Sequence, residues 1–240
     1  LYYPGSVYKM CTGSMGIEEG IITEDTTYTC KGYEKFEGLK DPIHCWNHSG
    51  HGTTTFREGL CNSCNPWFMH IGAELGPDVF CRYRQAFGFE DKTGIDLPGE
   101  AGSILHSREE MGKVELVVES FGQNFSITPI QMITASAAVA NGGYLVRPHI
   151  VDRIVDGDGN IVKSADKSYR RQVISESTSA TLSDILRQNV ASGTARGGYV
   201  SGYRVCGKTG TSEKVDKHNQ DLLKDPTARM TYIASYCGFA

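Results

Sequence analysis

The sequence predicts a single domain of mixed α and β structure, α/β (α+β), and three observations carry that expectation. Helix starts are marked by a capping residue followed by proline at Asn65-Pro66 and Thr128-Pro129, and by a capping serine at Ser175. Near the chain end, 203–212 and 230–240 alternate apolar and polar residues, so the second stretch can pair with the first as strands. A length of 240 residues with 39% apolar and 22% charged content is enough to bury a real core.

Taken in order, Pro4-Gly5 punctuates a turn, and a helix can run from about Ser6 to Glu18. Cys30-Lys31-Gly32-Tyr33 and Ile43-His44-Cys45-Trp46 bracket a charged, Gly-containing segment and read as a long hairpin with a cysteine near the base of each arm. Thr53 or Thr54 is expected to cap a helix ending near Ser63. Asn65-Pro66 opens the next helix, which Gly76 closes, and Pro77 to Phe87 makes another. A Gly/Pro-rich loop covers 88–105, and a small-residue helix follows Thr128-Pro129 and ends at Asn141-Gly142-Gly143. The run Asp156-Gly157-Asp158-Gly159-Asn160 reads as a hairpin turn, Ser175 caps a helix to about Ala191, and Tyr203 to Ser212 is a strand bearing Lys208-Thr209-Gly210-Thr211.

Composition excludes several classes of function. A net charge of -4 with scattered signs gives no basic patch, so nucleic acid is not an expected partner. No run of eighteen apolar residues occurs, and the N-terminus lacks a charged-then-apolar signal pattern. Eight cysteines are too few for a disulfide scaffold, yet several of them cluster with histidines between residues 30 and 81.

Ser6 and Lys9 stand one helical turn apart on one face, the spacing of a nucleophile and its base. A lysine serves as base only if its amine is held neutral, which needs desolvation or a neighbouring cation. The S-x-x-K pattern recurs at Ser164-Ala165-Asp166-Lys167, in a polar stretch read as a solvated loop. Ser63-Cys64-Asn65 is an S-x-N placed as a tight connection between two helices, although capping alone also accounts for Asn65. K-T-G occurs at Lys92 in a loop and at Lys208 on a strand, and only the second can lay an extended substrate along a sheet edge.

S-x-x-K at a helix start, S-x-N between helices and K-T-G on a strand form the motif set of the penicillin-recognising serine acyltransferases. With Gly50-His51-Gly52, 62–66, 93–100, Phe121-Gly122-Gln123, 128–132, Asn141-Gly142-Gly143 and 207–211, nearly the whole chain resembles the transpeptidase domain of class B penicillin-binding proteins, closest to the cell-wall and sporulation-specific branches of Gram-positive bacteria. The resemblance implies a penicillin-binding/serine β-lactamase-like fold, an antiparallel sheet flanked by helices with an all-helical subdomain. It implies a D,D-transpeptidase that cross-links peptidoglycan stem peptides ending in D-Ala-D-Ala through a serine acyl-enzyme and that β-lactams acylate. Ser6 is then the nucleophile, Lys9 its base, Ser63 a proton relay and Asn65 a holder of substrate and Lys9. Lys208 supplies charge for a substrate carboxylate and depresses Lys9. Thr209, Gly210 and Thr211 form the substrate-binding edge, and the N–H groups of Ser6 and Thr211 the oxyanion hole. The family further implies a membrane-anchored enzyme on the extracytoplasmic face, with cell-wall synthesis partners, and strands beyond both ends of 1–240, so the domain reads as truncated with its anchor elsewhere.

The hairpin at 30–52 reads as an insertion with zinc-like spacing: Cys45-x-x-His48 with Cys30 across it, and His51, Cys61 or Cys64 as fourth ligand. A Cys30–Cys45 disulfide and free buried thiols remain open, as does a purely family role for His51. No cofactor is expected for catalysis, so any zinc is structural. Cys64 itself, in the variable middle of S-x-N, carries no assigned chemistry. Competing functions are a β-lactamase of the same fold, which needs a base to hydrolyse its acyl-enzyme, a β-lactam sensor, and an inactive interaction module.

Overall fold

The computed structural model describes residues 1–36, 39–214 and 231–240. Its elements run as a 3-10 turn Gly5–Tyr8, then α1 (Lys9–Glu18), β1 (Thr27–Cys30), β2 (Tyr33–Glu34), β3 (Ile43–His44), β4 (Gly52–Thr55), α2 (Phe56–Cys61) and α3 (Asn65–Ala86). There follow α4 (Lys113–Glu119), α5 (Pro129–Ala140), β5 (Tyr144–Val146), β6 (Arg153–Val155), β7 (Ile161–Ser164), β8 (Tyr169–Gln172), α6 (Glu176–Ser192), β9 (Cys206–Glu213) and β10 (Tyr232–Phe239). The described strands pair antiparallel: β1 with β4, β2 with β3, β5 with β8, β6 with β7, β9 with β10.

Helix α1 is the hub, buried from Lys9 to Gly16 and packed against α3, α5 and α6. A helix enclosed on every side needs small side chains and internal partners for its polar ones. Thr12 accordingly donates to Ser120 O and Ser14 to Met10 O, both at 2.8 Å. Beside it Tyr8 sits among Phe80, Phe89 and Phe125, with ring centroids 4.8–6.3 Å away.

Several boundaries differ from expectation for local reasons. Thr53 and Thr54 cap nothing, because they pair with Thr29 and Tyr28 in the β1–β4 ladder, where β-branched residues fit. Thr55 is the N-cap instead, in a capping box with Glu58, and α2 stops at Cys61. Asn65 is not a side-chain cap: it is the first residue of α3 and its amide is used elsewhere. Gly76 (φ 71°, ψ 165°) breaks α3 where the sequence closes one helix and Pro77 opens the next. The hairpin arms do meet, Tyr33 opposite His44, and Thr128 and Ser175 cap α5 and α6 as expected. The expected polar loop before β10 lies mostly outside the described residues.

Strand β9 has two faces. Lys208, Gly210 and Ser212 point inward and are buried, while Thr209 and Thr211 are more exposed. Two ties fix this strand and the opening turn together: Ser212 Oγ donates to Tyr3 O at 2.7 Å, and a Cβ on Gly210 would lie 2.9 Å from Pro4 O.

Candidate active site

The turn that carries Ser6 is set by backbone packing that only glycine permits. Gly5 has φ +57° and donates its N–H to Gly122 O at 2.8 Å. Gly122 itself has φ +94°, and a Cβ there would sit 1.9 Å from Gly5 O. The opening turn is thus wedged between the 121–123 segment and β9, with Ser6 facing a cleft.

That cleft has a volume of about 400 Å³ and is lined by Ser6, Ser63, Asn65, Thr209 and Thr211, residues from three separate parts of the chain. Lys9 and Lys208 lie beneath it, each 0% exposed. Lys9 Nζ donates to Ser63 O at 2.8 Å, to Asn65 Oδ1 at 2.6 Å and to Ser63 Oγ at 3.3 Å. Lys208 Nζ donates to Ser63 Oγ at 2.9 Å and to Thr209 O at 3.0 Å. Ser63 has φ 53°, a left-handed conformation uncommon for a residue with a side chain, and strain of this kind gathers at functional sites. Its reward is that both its hydroxyl and its carbonyl face Lys9.

Burial is the leading cause of the pKa shifts here. It draws Lys9 down to about 7, and draws Lys208 well below the ordinary lysine value, with the charge of Lys9 adding to the effect on Lys208. Two amines on one buried hydroxyl cannot both keep a charge cheaply.

The second K-T-G and the second S-x-x-K stay out of the site. Thr93 gives its N–H and hydroxyl to Glu100 in a surface loop, and Lys167 pairs with Asp152.

The 30–52 hairpin brings sulfur and imidazole together beside the S-x-N turn, with one correction to the ligand set. Cys30, Cys45, His51 and Cys64 hold their ligand atoms within 4.8 Å of one another. His48 stands outside this group, its ring 5.6 Å from that of His44. The reason is chain crossing: Gly32 (φ +91°) and Gly50 (φ +80°) press backbone on backbone, a Cβ on Gly32 falling 2.1 Å from His48 O. That crossing turns residue 51 inward. Cys64, one of the candidate fourth ligands, faces the group where α3 begins, and Cys61 points instead toward Ile185 O. All eight cysteines are free thiols, so a Cys30–Cys45 disulfide is absent. The Cys64 thiol donates to the Cys45 sulfur, drawing Cys45 down to about 5 and pushing Cys64 up. Buried His51 Nε2 has no protein partner.

Sequence reasoning missed Trp46, Phe121, Gln123 and Thr194, which also line the cleft. Phe121 and Gln123 stood in a segment singled out above, but nothing local gave them a role. Thr194 is reached only through folding, its N–H donating to Cys61 O at 3.0 Å.

A serine at a buried helix start, two lysines on one hydroxyl and a threonine-bearing strand edge define the penicillin-recognising class of serine acyltransferases, on an α+β fold of matching architecture. The chain belongs to the family described as the penicillin binding protein transpeptidase domain, which it matches over residues 1–240. It is 40% identical over 242 residues to Stage V sporulation protein D of Bacillus subtilis, covering 100% of this chain and 36% of that protein. It is 28% identical over 222 residues to the peptidoglycan D,D-transpeptidase MrdA of Acinetobacter baumannii, covering 89% of this chain and 33% of that one. Among solved structures, penicillin binding protein 3 from Mycobacterium tuberculosis complexed with ampicillin superposes with TM-score 0.87 at 25% identity, over 100% of this chain and 53% of that one. A putative peptidoglycan glycosyltransferase from Atopobium parvulum gives TM-score 0.83 at 29% identity, over 99% of this chain and 54% of that one. The chain therefore spans about a third of the length of the two curated relatives named, 36% and 33%.

Proposed function

We propose that this domain is a peptidoglycan D,D-transpeptidase, and the observation that carries the reading is the buried amine of Lys9, cradled by Ser63 and Asn65 beneath the cleft that Ser6 lines. Ser6 Oγ attacks the carbonyl of the peptide bond between the two D-alanines. Its proton passes to neutral Lys9, whose three acceptors, Ser63 O, Ser63 Oγ and Asn65 Oδ1, match the three N–H groups of the resulting ammonium. The N–H groups of Ser6 and Thr211 receive the oxyanion; losing one such donor typically costs about 10²–10³ in rate. Lys9 returns that proton through the Ser63 hydroxyl, 3.3 Å away, to the leaving D-alanine amine, and Thr209 and Thr211 receive that residue's carboxylate. An acceptor amine from a second stem peptide then attacks the ester carbonyl, a peptide bond forms as the bond to Ser6 Oγ breaks, and the amine's proton passes by way of Lys9 to the departing Ser6 oxygen. β-Lactams enter by the first half of the same path.

A β-lactamase reading is less well supported, because no Asp or Glu stands among the described residues lining the cleft to activate a hydrolytic water. Stem peptides lie outside the cytoplasmic membrane, so the domain works on the extracytoplasmic face. No helix among the described residues is long and apolar enough to cross a membrane. The 40% identity to a stage V sporulation protein supports a sporulation role.

The chemistry of the cysteine and histidine group also fits a structural zinc, held by Cys30, Cys45, His51 and Cys64. Three thiols and an imidazole converge in a mostly buried spot, and a thiol drawn to about 5 offers the thiolate that zinc prefers. Bound there, zinc would cross-link the hairpin to the start of α3 and take no part in the acyl transfer.

Treatment with benzylpenicillin followed by peptide mass spectrometry tests the main reading: the adduct is expected on Ser6, persisting over hours, and turnover of a D-Ala-D-Ala peptide is expected alongside. An adduct elsewhere, or its rapid release, overturns it. Zinc content of the purified protein tests the second, with about one ion per chain expected.

A further inference from the structure

Asn189 stands near the end of α6, fully buried, with a side-chain amide for which the helix itself has no use. A buried amide is tolerated only when its polar atoms are paired. Both ends of this one reach the acylation site from behind. Nδ2 donates to Gly207 O at 2.8 Å, the carbonyl directly before Lys208, and Oδ1 accepts from Thr194 Oγ1 at 3.3 Å, on a residue that lines the cleft. Gly193 leaves the room for it, since a Cβ there would fall 2.3 Å from Asn189 Oδ1. Alternate residues of an antiparallel strand turn their N–H and C=O groups to opposite sides, so Gly207, Thr209 and Thr211 present theirs on the one side of β9 that faces away from β10. Gly207 O goes to Asn189 on that side, and Thr209 O receives Lys208 Nζ.

We propose that Asn189 is a positioning residue for acylation, which pins the open edge of β9 at Gly207 and so holds Lys208 and the Thr209–Thr211 stretch in register with Ser63 and Ser6. This rests on the transpeptidase reading above. The amide takes the first carbonyl of that edge and leaves Thr209 and Thr211 for the carboxylate end of the substrate. Lys208 Nζ meets Ser63 Oγ at 2.9 Å only while the strand keeps its place along α6. Because one side chain holds both Gly207 and Thr194, these two parts of the site keep a fixed separation. The demand is steep, since displacing aligned groups by about 1 Å can cost about 10²-fold in rate.

The test is a double-mutant cycle read as the second-order rate constant for acylation of Ser6, with benzylpenicillin in excess, so that unfolded protein lowers the amplitude and not the rate. Asn189→Leu keeps the branched shape of the side chain and removes both bonds. It is expected to slow acylation about tenfold in the otherwise wild-type chain, and by less than about twofold where Lys208→Ala is already present. Gly193→Ala drives a Cβ at the same amide from the neighbouring turn. It should slow acylation to a similar extent, the two changes together being no slower than either alone, and it takes the place of Asn189→Leu in the cycle if that variant does not fold. As an independent signal, the ratio of the rate constants for benzylpenicillin and for its methyl ester, which lacks the carboxylate, should fall in Asn189→Leu. Equal slowing with and without Lys208, or an unaltered rate in the wild-type background, makes Asn189 a structural tie and overturns the proposal alone. A wild type that forms no adduct on Ser6 overturns the transpeptidase reading and this inference with it.

Discussion

Lys9 and Lys208 bring their amines to a single hydroxyl, Ser63 Oγ, at 3.3 and 2.9 Å, with neither amine exposed to solvent. Burial draws Lys9 down to about 7 and Lys208 well below the ordinary lysine value, with the charge of Lys9 adding to the effect on Lys208.

Acylation should depend on pH through Lys9. Its pKa is drawn down to about 7, and only the neutral amine can take the proton of Ser6, so the rate constant should fall about tenfold per pH unit in acid, below that value. Stopped-flow measurement with a fluorescent penicillin from pH 5 to 9 checks the sign and the midpoint.

Asn65→Asp places a carboxylate where Oδ1 now accepts from Lys9 at 2.6 Å. An adjacent opposite charge raises a lysine pKa by about 1–3 units. Acylation at pH 7 should drop at least about tenfold, with recovery as the pH is raised past 9. A simple loss of packing would give no such recovery.

Gly122→Ala should disturb the turn that carries Ser6. The new Cβ meets Gly5 O at 1.9 Å, at a φ of +94° that alanine tolerates poorly. A loss of about 2 kcal/mol or more in stability is expected, with slowed acylation of the folded fraction, read by urea denaturation and adduct formation.

Arg84→Met strands Glu119, which is 0% exposed and pairs with Arg84 at 3.0 Å and with His106 at 2.7 Å. Removing one partner of a buried pair costs about 3–5 kcal/mol. Burial already raises the pKa of Glu119, so its neutral form is the one that folding favours. The penalty should therefore shrink in acid, as Glu119 protonates, and be full at neutrality. Urea denaturation at both pH values measures this.

The metal assignment separates two histidines. His51→Ala should abolish zinc retention and lower the melting temperature, whereas His48→Ala should leave zinc content unchanged. Metal analysis with thermal denaturation of both variants decides it. A chelated wild type with unaltered melting would remove the zinc reading.

The sequence by itself determined the helix starts at Asn65-Pro66, Thr128-Pro129 and Ser175, the strand carrying Lys208, and the motif residues Ser6, Lys9, Ser63 and Asn65, because capping, proline geometry and one-turn spacing act over a few residues. Tertiary structure alone decided which histidine joins the cysteines, since that depends on Gly32 and Gly50 crossing backbone on backbone. It alone set Trp46 and Thr194 on the cleft and gave the amide of Asn65 to Lys9 rather than to its own helix. It also decided that burial outweighs any neighbouring charge in tuning Lys9. Desolvation and convergence of distant side chains are properties of the packed interior, and no local pattern encodes them.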